Sequence, residues 1–179
     1  MSYNERKQQG NEFESEVVEY LERNGYAVSK RGVEHSEELF LARIRWDNQP
    51  LAKFVKNAPD GLAVNRTGVL FAWDAKRGLN VARDAWEAYQ VIAQIGAVFL
   101  FFKAGTQVLS GEIKSVELEH GDETTAGYGS AAHPRDRDGW ICPRLGPHYN
   151  GAGSGSPYRK VRVATLDPVK DFKPCPTVS

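Results

Sequence analysis

Cysteine is scarce in this chain of 179 residues: Cys142 and Cys175 are its only two. Two cysteines make no disulfide framework, so a reducing cytoplasm is the expected compartment. Long apolar runs are missing as well. The longest, Ala97 to Phe102, is six residues, against the ~20 that a membrane helix needs, and no membrane partner is expected. The first residues, Met1-Ser2-Tyr3-Asn4-Glu5-Arg6-Lys7, are polar and lack the apolar stretch of a secretory signal. No phosphate-binding loop, dinucleotide fingerprint or Ser-His-Asp arrangement occurs. An excess of charge is absent too, because 23 Lys and Arg balance 23 Asp and Glu. A neutral total does not exclude a polyanionic partner, since local field rather than net charge steers one. The charges fall in blocks: residues 27–83 carry ten basic and six acidic groups, and residues 104–123 carry one and five.

What is present suits a folded domain. Hydrophobic residues make up 41% and charged residues 26%, the composition of a soluble globular protein with a real core. Gln8 to Asn24 reads as an amphipathic helix through Phe13, Val17, Val18, Tyr20 and Leu21, stopped by Gly25. Tyr26-Ala27-Val28 reads as a short strand, and residues 32–58 show no clean period. Gly61–Val64 and Val69–Ala75 read as a hairpin around Asn65-Arg66-Thr67-Gly68. The pattern predicts a helix over Val81–Ile95, a buried strand over Ala97–Phe102, and further strands at Val108-Leu109 and Ile113–Leu118. The expected fold is α/β with a mixed sheet. Residues 1–120 form its expected core; residues 121–179, rich in Gly and Pro, form an extension packed on the same domain.

Three acids and a lysine carry the chemistry. Alternation along Val69–Lys76 places Asp74 and Lys76 side by side on one face. Closing the hairpin with Val64 against Val69 sets Asp60 about opposite Trp73, one step from Asp74. Two carboxylates that close repel unless a cation lies between them, and hard oxygen ligands favour Mg²⁺ or Mn²⁺ over zinc. A plain Asp74–Lys76 ion pair is the alternative. Glu14 lies about 60° from the centre of the helix's apolar face, where it either meets such a cation or snorkels to solvent. His133, Cys142 and His148 fit no zinc spacing, and Trp140 and Tyr149 read as loop packing or as platforms for unpaired bases.

Glu14, Pro59-Asp60-Gly61 and Asp74-Ala75-Lys76 together resemble the PD-(D/E)XK nuclease motif. Trp73-Asp74-Ala75-Lys76-Arg77, then Tyr89-Gln90, then Gly96-Ala97-Val98-Phe99-Leu100 is similar to the RecU-like Holliday junction resolvases. Gly10, Glu14 and Gly25-Tyr26 match the spacing of the archaeal-type resolvases, and the resemblance covers about residues 8–103. It implies a restriction-endonuclease-like core, a central mixed β-sheet flanked by helices. It further implies that Asp60, Asp74 and the Ala75 carbonyl bind a divalent metal, Mg²⁺ or Mn²⁺, with Glu14 completing its shell. Lys76 would orient the attacking water or neutralise developing charge, and Gln90 would hold water or DNA backbone. The products would carry a 5′-phosphate and a 3′-hydroxyl.

The implied function is a structure-specific DNA endonuclease acting on four-way junctions as a homodimer, in a bacterial cell or a phage-infected host. A restriction-like or repair nuclease of the same fold, and a DNA-binding module that does not cut, are the alternatives. The candidate phosphate contacts are Lys30, Arg31, Arg43, Arg45, Lys53, Lys56, Arg66 and Arg77.

Overall fold

The computed structural model describes residues 3–31, 47, 49–119, 138, 140 and 157–172. Helix α1 spans Tyr3–Arg23 and begins five residues earlier than its apolar periodicity predicts. Gly25, at φ +83°, ends it: its N–H donates to Glu22 O (2.9 Å) and the Tyr26 N–H to Leu21 O (3.1 Å). These bonds satisfy carbonyls that a helix end leaves open. The chain then forms β1 (Ala27–Lys30), α2 (Pro50–Lys56), β2 (Gly61–Val64) and β3 (Leu70–Arg77). After β3 come β4 (Asn80–Ala82), α3 (Arg83–Ile92), β5 (Ala97–Ala104) and β6 (Gln107–Glu112). Strands β7 (Tyr158–Lys160) and β8 (Asp167–Pro168) end the series.

Six strands form one sheet in the order β1-β2-β3-β5-β6-β8. Only β3 and β5 run parallel; the other pairs are antiparallel. The protein is therefore α/β with a mixed central sheet flanked by helices. Strand alternation sorts the core between the two faces. Phe71, Trp73 and Phe101 pack against Phe13, Val17 and Leu21 of α1. Ala72, Val98, Leu100 and Phe102 pack against Ala85, Tyr89 and Ala93 in and just after α3. Strand β5 is covered on both faces, which is why its sequence is a continuous apolar run.

Three expectations need correction. The hairpin register is one residue off: Val64 pairs with Leu70 and Gly61 with Trp73. Asn65 Oδ1 accepts the N–H groups of Thr67 (3.0 Å) and Val69 (2.8 Å), which draws Val69 into the loop and lengthens it by one residue. Ile113–Leu118 is not a strand, because the Ser115 and Val116 N–H groups both turn back to Glu112 O. The helix expected from Val81 starts at Arg83, since Asn80–Ala82 pairs instead with Tyr158–Lys160. Within the unreadable stretch 32–58, Pro50 opens α2, its fixed φ suiting the first helical turn.

Segment 157–172 lies against the rest of the protein. Beyond the β4–β7 pairing, β8 pairs with β6, and the Phe172 ring lies 6.2 Å from Phe13 and 5.4 Å from Tyr20. Trp140 is buried, with the Arg83 and Arg159 guanidiniums 5.9 and 5.7 Å from its ring, so it serves packing and is closed to bases. His133, Cys142, His148 and Tyr149 lie outside the described residues.

Gly61 holds β1, β2 and Trp73 in contact. A Cβ there would stand 2.5 Å from Ser29 O and 2.6 Å from the Trp73 ring. Gly61→Ala should therefore destabilise by about 1–3 kcal/mol, whereas Gly10→Ala, in open space within α1, should stabilise by about 0.5–1 kcal/mol. Urea unfolding of the two variants beside the wild type checks both signs.

Candidate active site

The ends of β1, β2 and β3 meet at one edge of the sheet, and four sequence-selected side chains gather there. With Gly61 opposite Trp73, the antiparallel ladder brings Asp60 directly opposite Asp74. That is closer than the diagonal placement expected from the sequence. Asp60 Oδ2 accepts the Ala75 N–H at 2.8 Å. The N–H and C=O of a strand residue face the same neighbouring strand, so the Ala75 carbonyl also points to the Asp60 side. Asp60 O accepts the Arg31 N–H at 2.6 Å, tying the end of β1 to the same corner.

Asp74 is 1% exposed and faces α3. Lys76, two residues on, points the same way and brings Nζ within 2.7 Å of Asp74 Oδ2. The contact is one of charge: Oδ2 gains no directed hydrogen bond from it. Tyr89 of α3, 1% exposed, closes the site from above, with Lys76 Nζ 5.9 Å from the centre of its ring. The sequence reading placed Tyr89 in the core and selected its neighbour Gln90, which the structure turns to solvent. The missed signal is a tyrosine on the buried face of a helix that crosses a charged strand. A buried phenol usually finds a hydrogen-bond partner.

Glu14 lies in the α1 layer, 6% exposed, and pairs with Lys30 Nζ at 3.1 Å. Its charge reaches Asp60, but no group of three or more His, Cys, Asp or Glu side chains gathers as a metal site among the described residues. The compact set is thus Asp60, Asp74 and Lys76, with Glu14 engaged beside it. Of the expected phosphate contacts, Lys30 ends β1 and Arg31 follows it, Arg77 ends β3 and donates to Gln9 of α1, and Lys53 is exposed on α2. Lys56 Nζ donates to Asp47 O at 2.7 Å. Arg66 sits in the hairpin loop, at the opposite end of β2 and β3 from the acids. Arg43 and Arg45 lie outside the described residues.

Burial, and then the charge of Asp74, pushes the Asp60 carboxyl up to about 8, against the smaller opposing pull of Lys76 and the Ala75 N–H. Burial works against the Lys76 ammonium, yet Asp74, Tyr89 and Asp60 together hold it well above the ordinary lysine value. Burial and Asp74 likewise raise the Tyr89 phenol well above its ordinary value. At neutral pH Asp60 is therefore a neutral carboxylic acid, with the Lys76 ammonium and the neutral Tyr89 phenol in the same corner. Such an arrangement can bind a cation when Asp60 gives up its proton, and it can present an ammonium to an anion. No family model matches the chain, and no curated protein matches it.

The raised Asp60 value has a definite sign for stability. The folded state holds a proton that the unfolded state releases near pH 4, so this contribution is complete below about 4 and lost as pH rises through about 8. In EDTA, Asp60→Asn should match the wild type near pH 4. Its advantage should grow with pH and exceed about 1 kcal/mol at pH 8, less than one pKa unit's worth of the shift. Urea midpoints across that range check it, and a difference that stays flat with pH contradicts it.

Proposed function

We propose that this protein is a Mg²⁺-dependent DNA endonuclease with a restriction-endonuclease-like core, acting on four-way junctions as a homodimer. The observation that carries this reading is the convergence of Asp60, Asp74 and Lys76 at one sheet corner. Magnesium keeps most of its water and takes one or two carboxylates together with substrate phosphate. Asp60 and Asp74 supply such a pair, the Ala75 carbonyl faces the same side, and buried Asp74 Oδ2 lacks a directed hydrogen bond. The donor set suits a hard cation, and on this reading Glu14 would join its water shell. When bound, the ion would polarise the scissile phosphate and lower the pKa of a water. Lys76 supplies a fixed positive charge where negative charge develops, and the closely packed corner lowers the local dielectric that would screen it. Arg31 and Arg77 lie at the strand ends of this corner and, with Lys53 exposed on α2, would take flanking phosphates. Junction specificity and dimerisation rest on the likeness to the resolvases, whose substrate has two symmetric strands to cut.

One observation favours a second reading, a DNA-binding module that does not cut. Lys76 already compensates Asp74 and Lys30 compensates Glu14, so the acids have internal counter-ions.

Cleavage separates the readings. Purified protein with Mg²⁺ should nick labelled four-way junctions in preference to flaps and linear duplex. Asp74→Asn should lower the rate at least about 100-fold while retaining junction binding. Junctions bound but never cut establish the second reading. Equal cutting of duplex removes the junction assignment and keeps the nuclease.

A further inference from the structure

Two acids face each other on one side of the sheet; two bases do so on the other. Arg77 pairs in parallel register with Lys103 of β5, so the two lie side by side on neighbouring strands, about 4.8 Å apart at the backbone. Alternation turns both toward α1, away from the face that carries Asp74 and Lys76. There Arg77 donates to Gln9, and Lys103 Nζ donates to both Glu16 oxygens at 3.0 and 2.7 Å. Like charges at that spacing repel. Their compensation is incomplete. Gln9 is a neutral amide, and Arg77 meets no carboxylate among the described residues. Two cations therefore share one carboxylate, and one positive charge remains.

Hydrogen-bond donors remain as well. A guanidinium has five N–H groups and an ammonium three. Gln9 and Glu16 leave several of them unused. Arg77 is exposed and the Lys103 side chain is 26% exposed, so an anion can reach both from solvent. A phosphodiester group carries one negative charge, which matches the one in excess. Its oxygens suit the planar fork of an arginine and the point charge of a lysine.

We infer that Arg77 and Lys103 form an anion seat on the α1 side of the sheet end, and that its ligand is a backbone phosphate of DNA. Lys103 thereby becomes a phosphate contact that the sequence pattern does not select. Gln9 holds the guanidinium without neutralising it, and Glu16 limits the charge of the seat. The inference rests on reading the protein as one that acts on DNA, and it adds where the backbone continues past the acids.

Affinity for a labelled four-way junction, read by fluorescence anisotropy on the full chain in EDTA, tests the seat, because neither of its charges depends on a metal. Lys103→Gln and Arg77→Gln should each weaken binding about three- to tenfold at low salt. Each should also reduce the slope of log affinity against log salt by about 0.9, the loss of one phosphate contact. Glu16→Gln removes the shared carboxylate and should act in the opposite sense, tightening binding about two- to fivefold. Lys103→Arg should retain wild-type affinity to within about twofold. A merely structural ion pair would lower the melting temperature in both Lys103→Gln and Glu16→Gln while affinity and slope stay at wild-type values. That outcome overturns the inference and leaves the nuclease reading standing. Should Lys103→Gln fail to fold, Lys103→Arg together with the exposed Arg77→Gln and the isosteric Glu16→Gln decides the matter. A chain that binds junctions with the expected slopes but cuts nothing with Mg²⁺ keeps the seat and loses the nuclease. A wild-type chain that binds no DNA in EDTA overturns the seat, and cleavage with Mg²⁺ then decides the nuclease reading by itself.

Discussion

Two carboxyl groups forced together by strand register are the constraint from which the site follows. Asp60 and Asp74 lie opposite each other because Gly61 pairs with Trp73. That pairing in turn depends on a glycine with no room for a Cβ. Like charges placed so close, at the edge of a dry core, must be answered. The molecule answers them in three ways: a proton on Asp60, the Lys76 ammonium on Asp74, and a backbone N–H from Ala75 that pulls against the proton. Losing one member of such a set leaves a buried charge uncompensated, which costs more than the intact set contributes.

The surrounding fold gives this corner its rigidity. Strand β3 is the hinge of the arrangement: one face of it packs on α1 through Phe71 and Trp73, and the other carries Asp74 and Lys76 toward α3. The parallel pairing with β5 extends to Arg77 opposite Lys103, so the strand is held along its whole length beside the acids. Lys103 in turn is locked to Glu16 of α1 at 2.7 Å, over the Phe13 ring. Side chains placed on such paired strands are held more precisely than side chains on loops, which favours chemistry that needs fixed charges.

Much of this was legible in the residues, and the failures have physical causes. The α1 face through Phe13, Val17 and Leu21 follows from helical period, and the split of Phe71 and Trp73 from Asp74 and Lys76 follows from strand alternation. The hairpin register was not legible, because a side-chain cap by Asn65 set the loop length and apolar pattern is blind to such bonds. The β4–β7 ladder joins residues nearly eighty positions apart through strands of three residues each. Neither half is long enough to show a period. A motif specifies neighbours in sequence and so points to Gln90 beside Tyr89, while a helix turns adjacent side chains about 100° apart. The phase of α3 buries Tyr89 and exposes Gln90.

The three acids differ in how firmly their counter-charges are held, and that ordering bears on how the corner would respond to a cation. A proton on a carboxyl that titrates at about 8 leaves at little cost near neutral pH, so Asp60 is the easiest of the three to free. Asp74 is harder, because its ammonium partner must withdraw, yet Lys76 lies within reach of the Tyr89 ring face. Glu14 is buried while Lys30 is about a third exposed, so that pair can open toward solvent from the lysine side. On the proposed reading, a divalent ion that displaces one proton adds one positive charge to the corner while Lys76 and Lys30 keep theirs. A chain whose formal charge is zero would then present a locally positive edge to phosphate at the acids only when the ion is there. Attraction for the polyanion would be coupled to readiness for the reaction.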